Sequence, residues 1–297
     1  FSDGCDVTAE AVKASFDRLY EEAPNGSSAP QNYLEAEAEI TADNATGNVT
    51  IRTTQPYVDL TKNLAYPVMA IIDVEHTTDY DHGVIGTGPY VATNFREEVG
   101  YTMVANEHYW NGDVPFDTVE LLYMGDASAK AMALQSGQLD LAENVTNIND
   151  LNTLREDPNF TVTIASGVRT GLAHMNMSEG RLLSNKTLRE AVLMALDDDT
   201  MCSVTVGGLY TSGYSVLPSN LDYGYENLTD PYPYNQEEAK KLLDDAGIVD
   251  TNGDGIRELD GKEIVLHYVT YENRCLDDFA EAIQQQLSEI GIGVDLE

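Results

Sequence analysis

The sequence predicts an α/β fold in two domains, and three observations predict it. Between Tyr90 and Leu141 the pattern reads strand, strand, strand, helix, strand. The chain has 297 residues, 42% of them apolar, which is enough for a real core and two domains of ordinary size. Apolar residues also recur at helical spacing on both sides of that stretch, for example Val12, Phe16, Leu19 and Tyr20, and Leu188, Val192 and Leu196.

Each element has a local reason. Thr8 can cap a helix whose apolar face is Val12, Phe16, Leu19 and Tyr20. Residues 24–30 are a loop of Asn, Gly and Ser. Leu34, Ala36, Ala38 and Ile40 then alternate with glutamates, and Val49, Ile51 and Thr53 alternate beyond a turn at 43–47, which predicts a hairpin with one wet face. Residues 55–66 suit a short helix, and an apolar run follows at 68–72. Gly86, Gly88 and Pro89 predict a tight turn in Ile85-Gly86-Thr87-Gly88-Pro89-Tyr90. Strands are expected at 90–95, 101–106 and 118–124. Asp126 can cap a helix carrying Met132, Ala133 and Leu134, which Gly137 ends by accepting a left-handed backbone. An extended segment is expected to restart at 139–141. Beyond it lie a short helix at 147–155, strands at 160–165 and 168–177, and a helix at 186–196. Asp197, Asp198 and Asp199 then read as a solvated helix end, unfavourable with the helix dipole. A long tyrosine-rich loop fills 207–234. A strand at 264–269, a helix at 276–290 and the start of a last strand at Ile292 complete the chain.

The charge is lopsided, with 51 acidic against 16 basic residues and a net charge of −35. Such a surface repels phosphates and anionic lipid heads, which argues against nucleic acid and membrane surfaces as partners. The acids are spread along the chain, which favours a solvated surface over selection for cationic ligands. No apolar run of roughly eighteen residues is present, so no helical span is predicted. Cys5, Cys202 and Cys275 have no metal-type spacing. Cys202 and Cys275 can form one bridge in an oxidising compartment or stay as isolated thiols.

Two runs carry metal-binding residue types. Glu75, His76, Asp79, Asp81 and His82 fall close together, and imidazole with carboxylate suits a transition ion, with His76, Asp79 and His82 the candidate ligands. The other reading is a polar surface loop. Asp250, Asn252 and Asp254 with Gly255 match the first half of a calcium loop, but Gly261 stands where a closing glutamate is needed, leaving Glu258 or Asp260 to substitute. A rigid surface turn is the alternative. The Gly86-x-Gly88 pair is followed by a strand instead of a helix, so no helix N-terminus faces a pyrophosphate and the dinucleotide reading fails. No G-x-S-x-G elbow exists, and the five histidines stand apart from any nucleophile in sequence.

In order and spacing, GTGPY at 86–90 preceded by Ile85, Asn106 with Tyr109-Trp110 and Gly112, Pro115 with Asp117, Asp126-Ala127 with Ala129, and Ala133-Leu134 with Ser136-Gly137 and Leu139-Asp140 resemble the peptide/nickel-type extracellular solute-binding proteins of ABC importers. Phe1-Ser2-Asp3-Gly4 with Thr8-Ala9-Glu10, Leu188-Arg189-Glu190-Ala191, and Pro233-Tyr234-Asn235 with Glu238-Ala239-Lys240 extend the resemblance over nearly the whole chain. It implies a type II two-lobed clamshell of the periplasmic-binding-protein kind, with an inserted α+β subdomain at 1–84, the main part of lobe I at 85–176 and lobe II at 177–297, incomplete at both ends. It implies capture of a small solute, an oligopeptide or a nickel chelate, for delivery to permease subunits. It also implies an extracytoplasmic location, membrane attachment only through an anchor outside this chain, no catalysis and no required cofactor, with calcium or a transition metal as candidate bound ions. The resemblance places the cleft among Tyr33, Met69, His174, Asn176, Tyr210 and Tyr214, with Asn176 also suited to a structural role on the strand that crosses between lobes. Nickel-type members have an arginine after the Leu-Ala-x-Pro stretch. Here Leu64-Ala65-Tyr66-Pro67 is followed by Val68 and Met69, which argues against an anionic chelate. A solute-sensing clamshell without transport, and a hydrolase, are the alternative readings.

Overall fold

Thr8 starts the first helix as its position suggests: its Oγ1 accepts the Ala11 amide at 3.1 Å, and α1 (Ala9–Glu22) follows. The computed structural model describes residues 1–22, 30–35, 38–271 and 274–297, and these divide into two units, Phe1–Gly125 and Asp126–Glu297.

In the first unit, Phe16 of α1 is buried against Leu34 and Met69, with Val12, Leu19 and Tyr20 alongside. The expected hairpin is present as β1 (Glu39–Asp43) and β2 (Asn48–Arg52), antiparallel, with Ile40 opposite Ile51 and both turned toward the same cluster. The first strand is shorter than the alternation suggests. Leu34 sits in the turn after a short 3-10 segment (Pro30–Asn32), because complete burial of its side chain against α1 prevails over strand pairing. Ala36 and most of the loop expected at 24–30 lie outside the described residues. Within 55–66 only α2 (Leu60–Asn63) is helical, and Pro67 opens a 3-10 turn (Pro67–Met69) that delivers Met69 to the core. The Ser15 hydroxyl donates to the Ile72 carbonyl at 2.6 Å and accepts the Ile72 amide at 2.9 Å, tying α1 to the apolar run that follows.

The second sheet of this unit is a meander of β3 (Tyr90–Arg96), β4 (Gly100–Ala105) and β5 (Thr118–Leu122), in that spatial order. A bulge between Thr93 and Arg96 re-aims the corner, where Asn94 and Glu98 have positive φ. The stretch before β3 is not the tight turn its glycines suggest. Neither Gly86 nor Gly88 adopts a left-handed backbone. The chain bends, held by Asn106, whose side-chain amide donates to the Gly88 carbonyl and whose backbone amide donates to Pro89.

The second unit begins with two capped helices. Asp126 accepts the Ala129 amide at 2.6 Å ahead of α3 (Ala127–Gln135), and Gly137, at φ +75°, releases the chain from it. Asn147 accepts the amides of Asn149 and Asp150 ahead of α4 (Ile148–Glu156). The segments at 139–141, 160–165 and 168–177 are not strands: no partner strand pairs with them among the described residues, so their β-branched composition is not converted into a ladder.

The main core lies further on. Leu188, Ala191, Val192 and Ala195 fall on one stripe of α5 (Lys186–Ala195), and all four are buried. They pack with Ala239 and Leu243 of α7 (Gln236–Asp245), and with Ile264, Leu287, Ile290 and Ile292. Strand β8 (Val265–Tyr268), helix α8 (Leu276–Ser288) and strand β9 (Gly293–Leu296) form a parallel βαβ unit beside them. A small antiparallel pair, β6 (Glu258–Leu259) with β7 (Lys262–Glu263), precedes it.

The three aspartates after α5 correct one expectation. They do not end α5; they begin α6 (Asp198–Thr200), with Asp197 capping the Thr200 amide at 3.0 Å and its hydroxyl at 2.7 Å. Acids at a helix start are favourable with the dipole, not opposed to it. Asp198 is nevertheless pushed above the ordinary carboxylate range, first by burial and then by the charges of Asp230, Asp199 and Asp197. A raised folded pKa gives a stability contribution that is present below the unfolded value of 3.8 and lost as pH rises through the folded value. Asp198→Asn is therefore expected to raise the Tm at neutral pH and to leave it unchanged well below pH 3.8. Thermal melts of both proteins under the two conditions check this, and a lower Tm for the variant at neutral pH contradicts it.

Candidate functional site

The cleft candidates fall in both units. In the first, Met69 is 2% exposed and enclosed by Phe16 and Leu34, so its side chain completes a core and offers no surface to a solute. Tyr33 lies at the edge of that core with its ring 4.6 Å from the ring of Tyr66. In the second, His174 and Asn176 are exposed, and Asn176 accepts the Ser178 amide at 3.1 Å, the turn-forming role open to asparagine.

The tyrosine loop lies against the extended segment that carries His174. The Asn220 side-chain amide donates to the Gly167 carbonyl at 2.9 Å, and a Cβ on Gly171 would stand 3.8 Å from the Tyr210 ring. Tyr210 is fixed by an edge-on contact with Phe279 and by donation to the Arg274 carbonyl at 2.9 Å. Tyr214 packs on Tyr225 at 5.0 Å and is 44% exposed, so it presents an open face. Phenol rings offer flat apolar contact and one polar tip, which suits a planar or extended solute with no chemistry required. A shallow open groove of about 340 Å³ lies elsewhere, in the helix–hairpin part of the first unit, lined by Asp17, Tyr20, Glu21, Ala38 and Ile40. It encloses little and contains none of the cleft candidates.

The metal-type runs resolve differently from their sequence order. His76, Asp79 and His82 do not converge. His82 pairs with Asp79 at 2.9 Å on the surface, while the Nδ1 of His76 is hydrogen-bonded to Asp73 at 2.8 Å. In the 250–255 turn, both carboxylate oxygens of Asp250 accept backbone amides, from Gly253 and Gly255, while Asn252 and Asp254 accept the amides of Asp254 and Ile256. Those internal bonds account for the shape of the turn, and Glu258 closes it by accepting from Thr251.

Sequence order conceals a different cluster. His76 is joined by Asp73, Asp3 and Cys5, whose ligand atoms all lie within 4.8 Å of one another. A hydrogen bond that the His76 ring donates to Asp73, with that acid's charge, holds the imidazole above its ordinary range. Burial pushes Asp73 up, but the hydrogen bonds from His76 outweigh it and leave the carboxyl below the usual range. The Cys5 thiol is pushed up by its hydrogen bond to Asp3. It therefore stays a thiol, and a cysteine beside a histidine and an aspartate is not here an activated nucleophile. No bridge joins Cys202 to Cys275. Both are free thiols, and burial pushes Cys275 up to about 11.

Known proteins decide what this framework belongs to. The family model described as bacterial extracellular solute-binding proteins, family 5 Middle, matches residues 1–297. The chain belongs to family 5 of the bacterial extracellular solute-binding proteins. Oligopeptide-binding protein AppA of Bacillus subtilis is 30% identical over 228 residues, 75% of this chain and 41% of that protein. Nickel-binding protein NikA of Staphylococcus aureus is 25% identical over 299 residues, 100% of this chain and 56% of that protein. The crystal structure of NikA from Brucella suis in complex with Fe(III)-EDTA superposes with a TM-score of 0.84 at 23% identity, covering 100% of this chain and 60% of that one. The chain thus spans about half the length of the curated relatives it matches. The mixed α/β framework is that of the type II periplasmic binding proteins. Family 5 members are solute binders and not catalysts, and among the described residues of this one no helix is long and apolar enough to cross a membrane.

Proposed function

We propose that residues 1–297 form the middle part of the substrate-binding component of an ABC importer, which captures an oligopeptide or a metal chelate between two lobes and delivers it to permease subunits. The observation that carries this reading is the family match over the whole of residues 1–297. In this reading 1–84 is the inserted subdomain of the first lobe, 85–176 its main part and 177–297 the second lobe. Closure follows from differential affinity: a closed form touches the solute from both lobes and an open form from one, so binding shifts the population toward closure. The contact residues are Tyr210 and Tyr214 of the second lobe and Tyr33 and His174 of the first. Asn176 holds the backbone, and Met69 supports the first lobe from inside its core. Between the two solute classes, the absence of an arginine after Pro67 favours the peptide. The working location is the outer face of the cell membrane or the periplasm, with a lipid anchor supplied from outside these residues.

Thermal-shift screening of the full gene product against short peptides and nickel–histidine chelates tests the proposal. A solute at a hundred times its Kd stabilises by about 2.7 kcal/mol, which is several degrees of Tm. Tyr210→Ala should reduce that shift without lowering the ligand-free Tm by a comparable amount. Absence of any shift across both solute classes contradicts the reading.

A further inference from the structure

Asp3, Cys5, Asp73 and His76 have no part in solute capture as described above, yet the fold assembles them with some care. The Ser2 amide donates to Gly86 at 2.8 Å and the Asp73 amide to Ile85 at 2.7 Å, so the bend before β3 holds both contributing segments side by side. Asp73 is 4% exposed and fixed by the amides of Glu75 and His76, while Asp3 is fixed by the Cys5 amide at 3.0 Å. The imidazole of His76 faces both acids, with its Nδ1 2.8 Å from Asp73 and 3.8 Å from Asp3. One side of the cluster is therefore closed by Asp73. The other is open, since the His76 side chain is 48% exposed and that of Asp3 26%.

The donor set is not that of a mere acidic patch. A sulfur, an imidazole nitrogen and two carboxylates together suit a borderline-soft divalent ion with tetrahedral preference. Such an ion, with bonds of about 2.0–2.3 Å, sets its ligand atoms roughly 3.3–3.8 Å apart. The four ligand atoms here already lie within 4.8 Å of one another, so side-chain rotations of about an ångström complete the geometry. We propose that Asp3, Cys5, Asp73 and His76 bind one divalent transition-metal ion of the zinc class, with Cys5 as a thiolate ligand. On binding, one sulfur–metal, one nitrogen–metal and two oxygen–metal bonds form as waters leave the ion. The Cys5 thiol gives its proton to solvent, and a charged His76 gives up one ring proton to ligate as the neutral imidazole. The ion would pin the segment before α1 to the loop carrying His76, a structural role separate from the transported solute.

Calorimetric titration of the chelator-treated full gene product with zinc, together with the absorption spectrum of its cobalt(II) form, tests the proposal. The expected results are one ion bound at this site and a cobalt–thiolate charge-transfer band. Cys5→Ser should abolish the band, and His76→Asn should weaken zinc binding by about ten- to hundredfold or more. His82→Asn, whose partner is Asp79, should change neither. The wild-type cobalt spectrum does not depend on any variant folding. A cobalt form without the thiolate band, a band that survives in Cys5→Ser, or zinc affinity that depends on His82 and not on His76 overturns the assignment.

Discussion

Replacing Gly100 by alanine is expected to break the three-stranded sheet of the first unit. Gly100 opens β4 at φ +137°, a backbone region that residues with a Cβ rarely enter. A Cβ there would stand 1.9 Å from the carbonyl oxygen of Leu121 on β5, and a backbone atom cannot rotate aside as a side chain can. Either β4 separates from β5 or its start refolds. The expected cost is roughly 3–5 kcal/mol, in the range that only a few specific mechanisms reach. Amide exchange should show lost protection across residues 90–122 and little change in α5 and α7. Uniform protection close to wild type contradicts the packing described for this corner.

Leu188→Ala is expected to do comparable damage in the second unit. The side chain is fully buried on α5 and belongs to the cluster that joins α5 with α7, Ile264, Leu287 and Ile292. Leucine truncation at such a site costs about 2–5 kcal/mol, the lost transfer energy plus the cavity left behind. At 3 kcal/mol, exchange protection in α5, α7 and α8 falls roughly a hundredfold. A two-unit chain need not unfold in one step, so site-resolved exchange is the readout that locates the loss in the second unit. Retention of wild-type protection in those helices contradicts the central place given to Leu188.

Much of the framework was legible because its causes are local. Thr8, Asp126 and Asn147 cap the helices they precede, Gly137 ends α3, and the spacing of Leu188 and Val192 marks the buried face of α5. The β3–β4–β5 meander was legible because hairpin partners are neighbours in sequence. What failed depended on partners that sequence order does not show. The segments at 160–165 and 168–177 have strand composition, but a strand exists only where another pairs with it. Asp197, Asp198 and Asp199 read as the end of α5 because the chain turns straight from one helix into the next, and only the capping bond of Asp197 reveals which helix they serve. Met69 looked like a cleft residue and is a core residue, since the packing of α1 against it is not local.

Around the candidate site, the sequence shows residue types but not neighbours. The spacing of its phenols marks the tyrosine loop, whereas its contact with residues 167–171 through Tyr210 and Asn220 exists only in the fold. Sequence order does not show the Asp3–Cys5–Asp73–His76 cluster. Its members come from two ends of a long helix-and-hairpin excursion, and Asp73 stands just before the run from Glu75 to His82. One signal was available: an aspartate three residues before a histidine, the spacing at which a side chain closes a turn and meets the ring.

On the proposed function, the full gene product grips a solute and returns it unaltered. Native mass spectrometry of the full gene product, followed by release and identification of whatever it carries after incubation with peptides and nickel–histidine chelates, tests it most directly. The account predicts a one-to-one complex from which the solute is recovered chemically intact. Recovery of cleaved or otherwise altered solute, or no complex with either class, contradicts it.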